Sequence, residues 1–279
     1  MKKISRRSFL AAAGLSVAAL ALTACGGSSV STASSVASSA ASSEAASTSA
    51  AAGELATVEA GKLTMATNAA FPPYEMTTDA GEFEGIDIET AQAIADKLGL
   101  ELQIDDMDFD AALLSVQQGK ADIVMAGVTV TDERKAVMDF SDSYATGIQS
   151  IIVPEGSDIA SPDDLAGKKI GTQRGTTGYI YCSDDFGDDN VVAYDDGLTA
   201  VQALNNGQVD AVVIDNAPAK EFVAANPGLV ILDTSYAEED YAIGMAKGSS
   251  LEDAVNATLE ELKADGTLQA IVDKYITAE

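Results

Sequence analysis

Thr129 and Arg134 are spaced to receive a carboxylate. They lie in Ala126-Gly-Val-Thr-Val-Thr-Asp-Glu-Arg134, directly after the apolar run Ala121-Asp-Ile-Val-Met-Ala126. Thr131 suits the cap of a short helix, with Asp132 and Glu133 in its first turn. Arg134 then falls in that turn too, where the helix dipole opposes a cation by about 0.3 kcal/mol or more. A guanidinium placed there, beside free backbone N–H groups and the Thr129 hydroxyl, forms a carboxylate site. The competing reading is a surface arginine paired with a neighbouring acid. A second cradle for an anion is Arg174-Gly-Thr-Thr-Gly178, which ends a strand and opens a helix. It lacks the lysine and spacing of a Walker phosphate loop. Asp215, after the apolar Val209–Ile214 run, is a charge in a costly place unless paired. A ligand cation or a structural Asp turn would each account for it.

Composition removes whole classes of chemistry. The 279-residue chain has no histidine, which excludes His-ligated zinc, Ser-His-Asp triads and Cys-His dyads. A formal net charge of −28, from 16 basic and 44 acidic residues, argues against a nucleic-acid partner, which needs a basic face. Four of the basic residues (Lys2, Lys3, Arg6, Arg7) precede Cys25. An apolar run then leads to Leu22-Thr-Ala-Cys25, so the N-terminus reads as an export signal. The tetrad resembles a bacterial lipobox, in which Cys25 is lipidated and becomes the mature N-terminus. Only Cys182 remains beyond it, and a single thiol forms no internal disulfide. Gly26 to about Gly53 is Ser/Ala-rich and lacks the large apolar side chains that offset ordering entropy, so it is expected to be a flexible tether.

The elements that must position these residues alternate in type. Strands are expected at 62–67, 101–104, 121–126, 149–153, 168–173, 191–194, 209–214, 229–232 and 241–245. Helices are expected at 88–98 (capped by Asp87), 110–118, 198–205, 217–225, 251–264 and 268–276, with another opening after Gly178. Such alternation implies α/β architecture. One stretch echoes another without gaps: Val116-Gln-Gln-Gly-Lys-Ala-Asp-Ile-Val-Met-Ala-Gly127 and Leu204-Asn-Asn-Gly-Gln-Val-Asp-Ala-Val-Val-Ile-Asp215. Two similar units suggest two similar lobes, with Gly127 and Asp215 at the strand ends where α/β sheets bind ligands.

Gly127-Val-Thr-Val-Thr-Asp-Glu-Arg134, followed by Asp139-Phe-Ser-Asp-Ser-Tyr144, resembles the central motif of the family 3 solute-binding proteins, the amino-acid receptors of ABC importers. The resemblance covers about residues 55–279. It implies a type II periplasmic-binding-protein fold, with two α/β lobes joined by hinge strands near 144–149 and 238–242. The expected domains are a signal peptide (1–25), a linker (26–54), lobe 1 (55–146 plus 243–279) and lobe 2 (147–242). The resemblance assigns Thr129 and Arg134 to the ligand's α-carboxylate, completed from the other lobe by the loop carrying Thr176 and Thr177. It assigns Asp215 to the α-ammonium, and Phe71 and Phe109 to a sandwich around the side chain. Ala126, Gly127, Gln173, Ile214 and Asn68 complete the lining. Asn68 stands where relatives that bind cationic or glutamine side chains commonly have aspartate, so a neutral polar ligand is expected somewhat ahead of a cationic one. The implied partners are a polar L-amino acid, permease subunits and the membrane through Cys25, with the receptor a monomer, no cofactor, no metal and no enzymatic turnover; the competing readings are a dehydratase-like enzyme on the same fold and a ligand-sensing domain.

Overall fold

The computed structural model describes residues 55–276. The expected signal segment (1–25), with Cys25, and the expected linker (26–54) lie outside them. Two α/β lobes are built on two sheets of matching design. In the first, three parallel strands, Glu101–Asp106, Lys62–Thr67 and Ile123–Val124, are followed by Gly244–Ala246, antiparallel to them, and then Met138–Phe140. In the second, Val191–Tyr194, Ile170–Gln173 and Ala211–Asp215 are parallel and are followed by Ala145–Pro154 running against them, then Leu229–Ile231. The echoed stretches supply the same element in each, the third parallel strand beside the antiparallel one. Both strands are buried throughout, as continuous apolar runs under helices should be.

The helices cover the sheets with the apolar faces their periodicity predicts. Ile86–Leu98 joins the C-terminal pair, Glu252–Ala264 and Thr267–Tyr275, in one core with Leu63 and Met65 of the first sheet. That core therefore takes side chains from both ends of the described chain. The second sheet packs against Gly197–Asn205 and Asn216–Ala225 on one side, where Leu204, Val212 and Phe222 meet. Thr177–Phe186 lies on its other side, burying the lone Cys182 among Ile151, Ile170 and Val213. Burial pushes the Cys182 thiol up to about 12, so it has almost no thiolate at neutral pH.

Some boundaries move for physical reasons. The helix expected to be capped by Asp87 starts at Ile86 behind Gly85, which leaves Asp87 inside the first turn. There its Oδ2 accepts from Gly127 N (3.0 Å) and from the Tyr144 hydroxyl (2.8 Å). The expected strand at 241–245 is two strands, Ala237–Tyr241 and Gly244–Ala246, belonging to different sheets. Ala237–Tyr241 pairs antiparallel with Ala145–Pro154, from Ala237 opposite Gln149 to Tyr241 opposite Ala145. These are the two hinge strands.

Tyr241 is buried between them, and Gly147 makes room for its ring. A Cβ added at Gly147 would lie 2.4 Å from Tyr241 Cζ, well inside contact distance. Gly147→Ala is therefore expected to destabilise the protein by about 1–3 kcal/mol, the usual cost of overpacking. Chemical denaturation measures it, and an unchanged midpoint would show that the ring moves aside freely.

Candidate ligand-binding site

Thr131 caps Asp132–Lys135 as its sequence predicts, its hydroxyl accepting from Arg134 N at 3.2 Å. That turn directs Arg134 inward, where only 8% of the residue is exposed. One terminal nitrogen, Nη1, donates to Thr129 O (2.8 Å), and the other, Nη2, donates to Gly175 O (3.1 Å) on the second lobe. The Phe109 ring lies 5.4 Å from the guanidinium carbon. Burial pulls the Arg134 pKa down, while the Glu239 charge opposes that shift. A guanidinium has five N–H donors, so donors remain for a ligand anion. The arginine thus belongs to the interior, and the surface-pair reading is set aside.

Around it is a small cavity between the lobes. Asn68, Phe71, Phe109, Ala126, Gly127, Thr129, Arg134, Gln173, Thr176 and Thr177, ten of the residues expected from sequence, all line it, as does Ile214. Gly127 has φ 54°, and a Cβ there would stand 3.0 Å from the Phe71 ring, so the wall needs glycine at this point. Thr176 caps the Thr177–Phe186 helix, its hydroxyl accepting from Tyr179 N.

Asp215 is the exception. Its Oδ1 accepts from Ala217 N (2.9 Å), capping the Asn216–Ala225 helix, and its Oδ2 accepts from Ile148 N (2.7 Å). It lines a different cavity with Pro73, Tyr74 and Lys220. Burial raises the Asp215 pKa to about 6, against those two backbone bonds. The turn residue expected as an alternative describes this geometry.

Asn68 also differs from expectation. Its Nδ2 donates to Met107 O (2.9 Å) and its Oδ1 accepts from Gln173 Nε2 (2.8 Å). The two amides expected to meet the ligand's tip therefore meet each other across the lobes. The polar group lining the cavity with no such partner is one that sequence reasoning passed over. Glu75 has no exposed surface, and neither of its oxygens has a hydrogen-bond partner among the described residues. Asp87 Oδ1 is equally bare. Burial, then the Asp87 charge, pushes Glu75 well above the carboxylate range, and burial brings Asp87 to about 6.

Gln149 and Tyr241 of the hinge strands line the cavity too, and Glu239 stands behind it. The only local sign of these was strand alternation in Ala237–Tyr241, which puts Glu239 on the same face as Tyr241.

The sequence profile of the bacterial extracellular solute-binding proteins, family 3, matches residues 63–278. The L-cystine-binding protein TcyJ of Escherichia coli (strain K12) is 33% identical over 226 residues, 79% of this chain and 85% of that protein. The arginine-binding extracellular protein ArtP of Bacillus subtilis is 33% identical over 228 residues, 78% of this chain and 87% of that protein. Among solved structures, the arginine-, lysine-, histidine-binding protein ArtJ of Geobacillus stearothermophilus superposes with a TM-score of 0.75. It is 34% identical, and the match covers 78% of this chain and 96% of that one.

Proposed function

The chain belongs to family 3 of the bacterial extracellular solute-binding proteins, and on that premise we propose that it binds a polar L-amino acid with an extended, cation-tipped side chain. It is an extracytoplasmic receptor of an ABC importer and not an enzyme. The observation that carries the ligand reading is the polarity of the cavity, which has one buried cation, Arg134, and one buried acid, Glu75, among its lining residues. An α-amino acid offers a carboxylate to the first. A guanidinium or ammonium tip offers Glu75 the donors it lacks. The preference expected from Asn68, neutral ahead of cationic, is reversed here, because Asn68 is engaged by Met107 and Gln173. Relatives named for arginine are consistent with that order.

Ten of the lining residues expected from sequence are proposed as ligand contacts, with Phe71 and Phe109 flanking the aliphatic stem. Arg134–Gly175 and Asn68–Gln173 already join the lobes, so the ligand would add to contacts favouring the closed population. We also propose the lobe limits 55–146 plus 243–279 and 147–242, a monomer, delivery to permease subunits, and attachment of the mature chain through a lipidated Cys25. Among the described residues no helix is long and apolar enough to cross a membrane. Mass spectrometry of the mature N-terminus tests the anchor, and an unmodified terminus removes it. A thermal-shift screen of the twenty L-amino acids, followed by calorimetry, tests the ligand. Arginine or lysine should give the largest shift, and no shift with any of the twenty would end the amino-acid reading.

A further inference from the structure

The hinge strand Ala145–Pro154 has two faces, and each lines a different cavity. Gln149 faces the cleft, and Gly147 faces the Tyr241 ring, which lines the cleft too. Thr146 and Ile148 alternate with them and so point the other way, into the groove that also holds Pro73 and Lys220. One wall of this groove belongs to the first lobe, through Pro73 and Ile276. The other belongs to the second lobe, through Ala217, Lys220 and Glu221 of the Asn216–Ala225 helix. The groove therefore touches both lobes, as the cleft does, but from the opposite side of the ribbon that joins them.

Its floor is acidic by register. Glu238 pairs with Ile148 and Asp240 with Thr146, and directly opposed residues of antiparallel strands share a face. Both acids are exposed, on the side away from Glu239 and Tyr241. Lys220 and Glu221 offset each other on the wall, so the two floor carboxylates and Asp215 leave the groove negative. Among the described residues no ion pair engages Glu238 or Asp240. Beside them Ile148 is 36% exposed, and Pro73 and Ile276 extend its apolar surface. Carboxylates flanking an apolar strip suit an alkyl ammonium, whose N–H groups meet the acids while its stem covers the strip.

We propose that this groove is a second binding site, for a small organic cation with an aliphatic stem, and that its occupancy favours ligand binding in the cleft. Cleft and groove lie on opposite faces of the hinge ribbon, so swinging the lobes apart at the cleft brings the groove walls together. An occupant that fits the groove while Arg134–Gly175 and Asn68–Gln173 close the cleft opposes that swing. It binds the closed form better than the open one, and coupling between two sites needs that difference. The groove stands whatever the cleft binds; the coupling rests on the amino-acid reading above.

The probe is 1,5-diaminopentane, with 1,5-pentanediol as the uncharged control, added to the full processed chain at constant ionic strength. Calorimetry follows the affinity for arginine, or for the amino acid that the screen identifies, as probe is increased. The diamine should raise that affinity by about fivefold or more, the lower end of usual coupling, and the diol should not. A diamine that enters the cleft instead competes with arginine, so a fall in affinity overturns the proposal. The double variant Glu238→Gln/Asp240→Asn should bind arginine as wild type does and lose the effect of the diamine. A rise that survives in it comes from another site and overturns the assignment. Ile148→Trp fills the groove with its own side chain. It should bind arginine more tightly without probe and gain nothing from the diamine, and it carries the test if the double variant fails to fold. If wild type binds none of the twenty amino acids, the amino-acid reading fails alone and melting temperature judges the groove. The diamine should then raise it in wild type and not in the double variant. No rise in wild type by either measurement overturns the site.

Discussion

Arg134→Ala should weaken amino-acid binding by about 2–5 kcal/mol, the cost of removing one partner of a buried, hydrogen-bonded charge pair. The turn capped by Thr131 gives Arg134 a fixed direction, and Phe109 and the two carbonyl acceptors hold its plane. Little reorganisation is therefore needed when a carboxylate arrives, which is why the full cost should appear in affinity. Arg134→Lys should recover only part of it, since an ammonium lacks the planar fork that meets two carboxylate oxygens together. Isothermal calorimetry on wild type and both variants reads this directly. Wild-type affinity in Arg134→Ala would mean that the carboxylate is held elsewhere.

Glu75→Gln should cost arginine a comparable amount, about 2 kcal/mol or more, while glutamine binding changes little. The reason is charge and not shape, because glutamine at position 75 preserves volume and polarity. The same residue makes arginine binding depend on pH. In the empty protein, burial and Asp87 keep Glu75 protonated well above the carboxylate range. A cation seated against it favours the ionised form, so binding releases a proton. Affinity for arginine should then rise with pH, by up to tenfold per unit, until the raised Glu75 value is passed. Stability of the empty fold runs the other way. Groups whose folded pKa is raised contribute stability at low pH and lose it as pH climbs through the folded value, about 6 for Asp87. Calorimetry in buffers of different protonation enthalpy counts the proton. A count of zero with arginine, or an equal loss of arginine and glutamine in Glu75→Gln, would remove Glu75 from the ligand site.

The carboxylate end of the site was legible because its signals are local. A cap, an acidic first turn and an arginine that the dipole disfavours all fall within Thr131–Arg134, and each implies an inward guanidinium. The doubled lobe was legible from a gapless echo whose two copies supply equivalent strands. Glu75 was not, because nothing near it marks burial. It follows two prolines in a loop-like stretch, and it sits in the small sheet of Ala70–Phe71, Glu75–Thr77 and Phe83–Glu84, beside the helix that carries Asp87. Glu239 was hidden in the acidic run Glu238-Glu239-Asp240, which reads as a solvated face until strand phase is known. Starting that strand at Tyr241 rather than Ala237 removed the alternation that turns Glu239 inward. The engagement of Asn68 was hidden in a third way: it could not be known before Gln173 was placed opposite it.

The sealed position of Cys182 gives the second lobe a clock of its own. With no exposed surface and a pKa near 12, the thiol reacts with an alkylating reagent only when the surrounding core opens. Where Cys25 is acylated or replaced, each alkylation event therefore records one opening of that lobe. A ligand that binds the closed protein alone slows the count by the factor 1 + [L]/Kd. The thiol thus converts occupancy of the cleft into a rate of covalent marking, readable by mass without any label attached at the binding site.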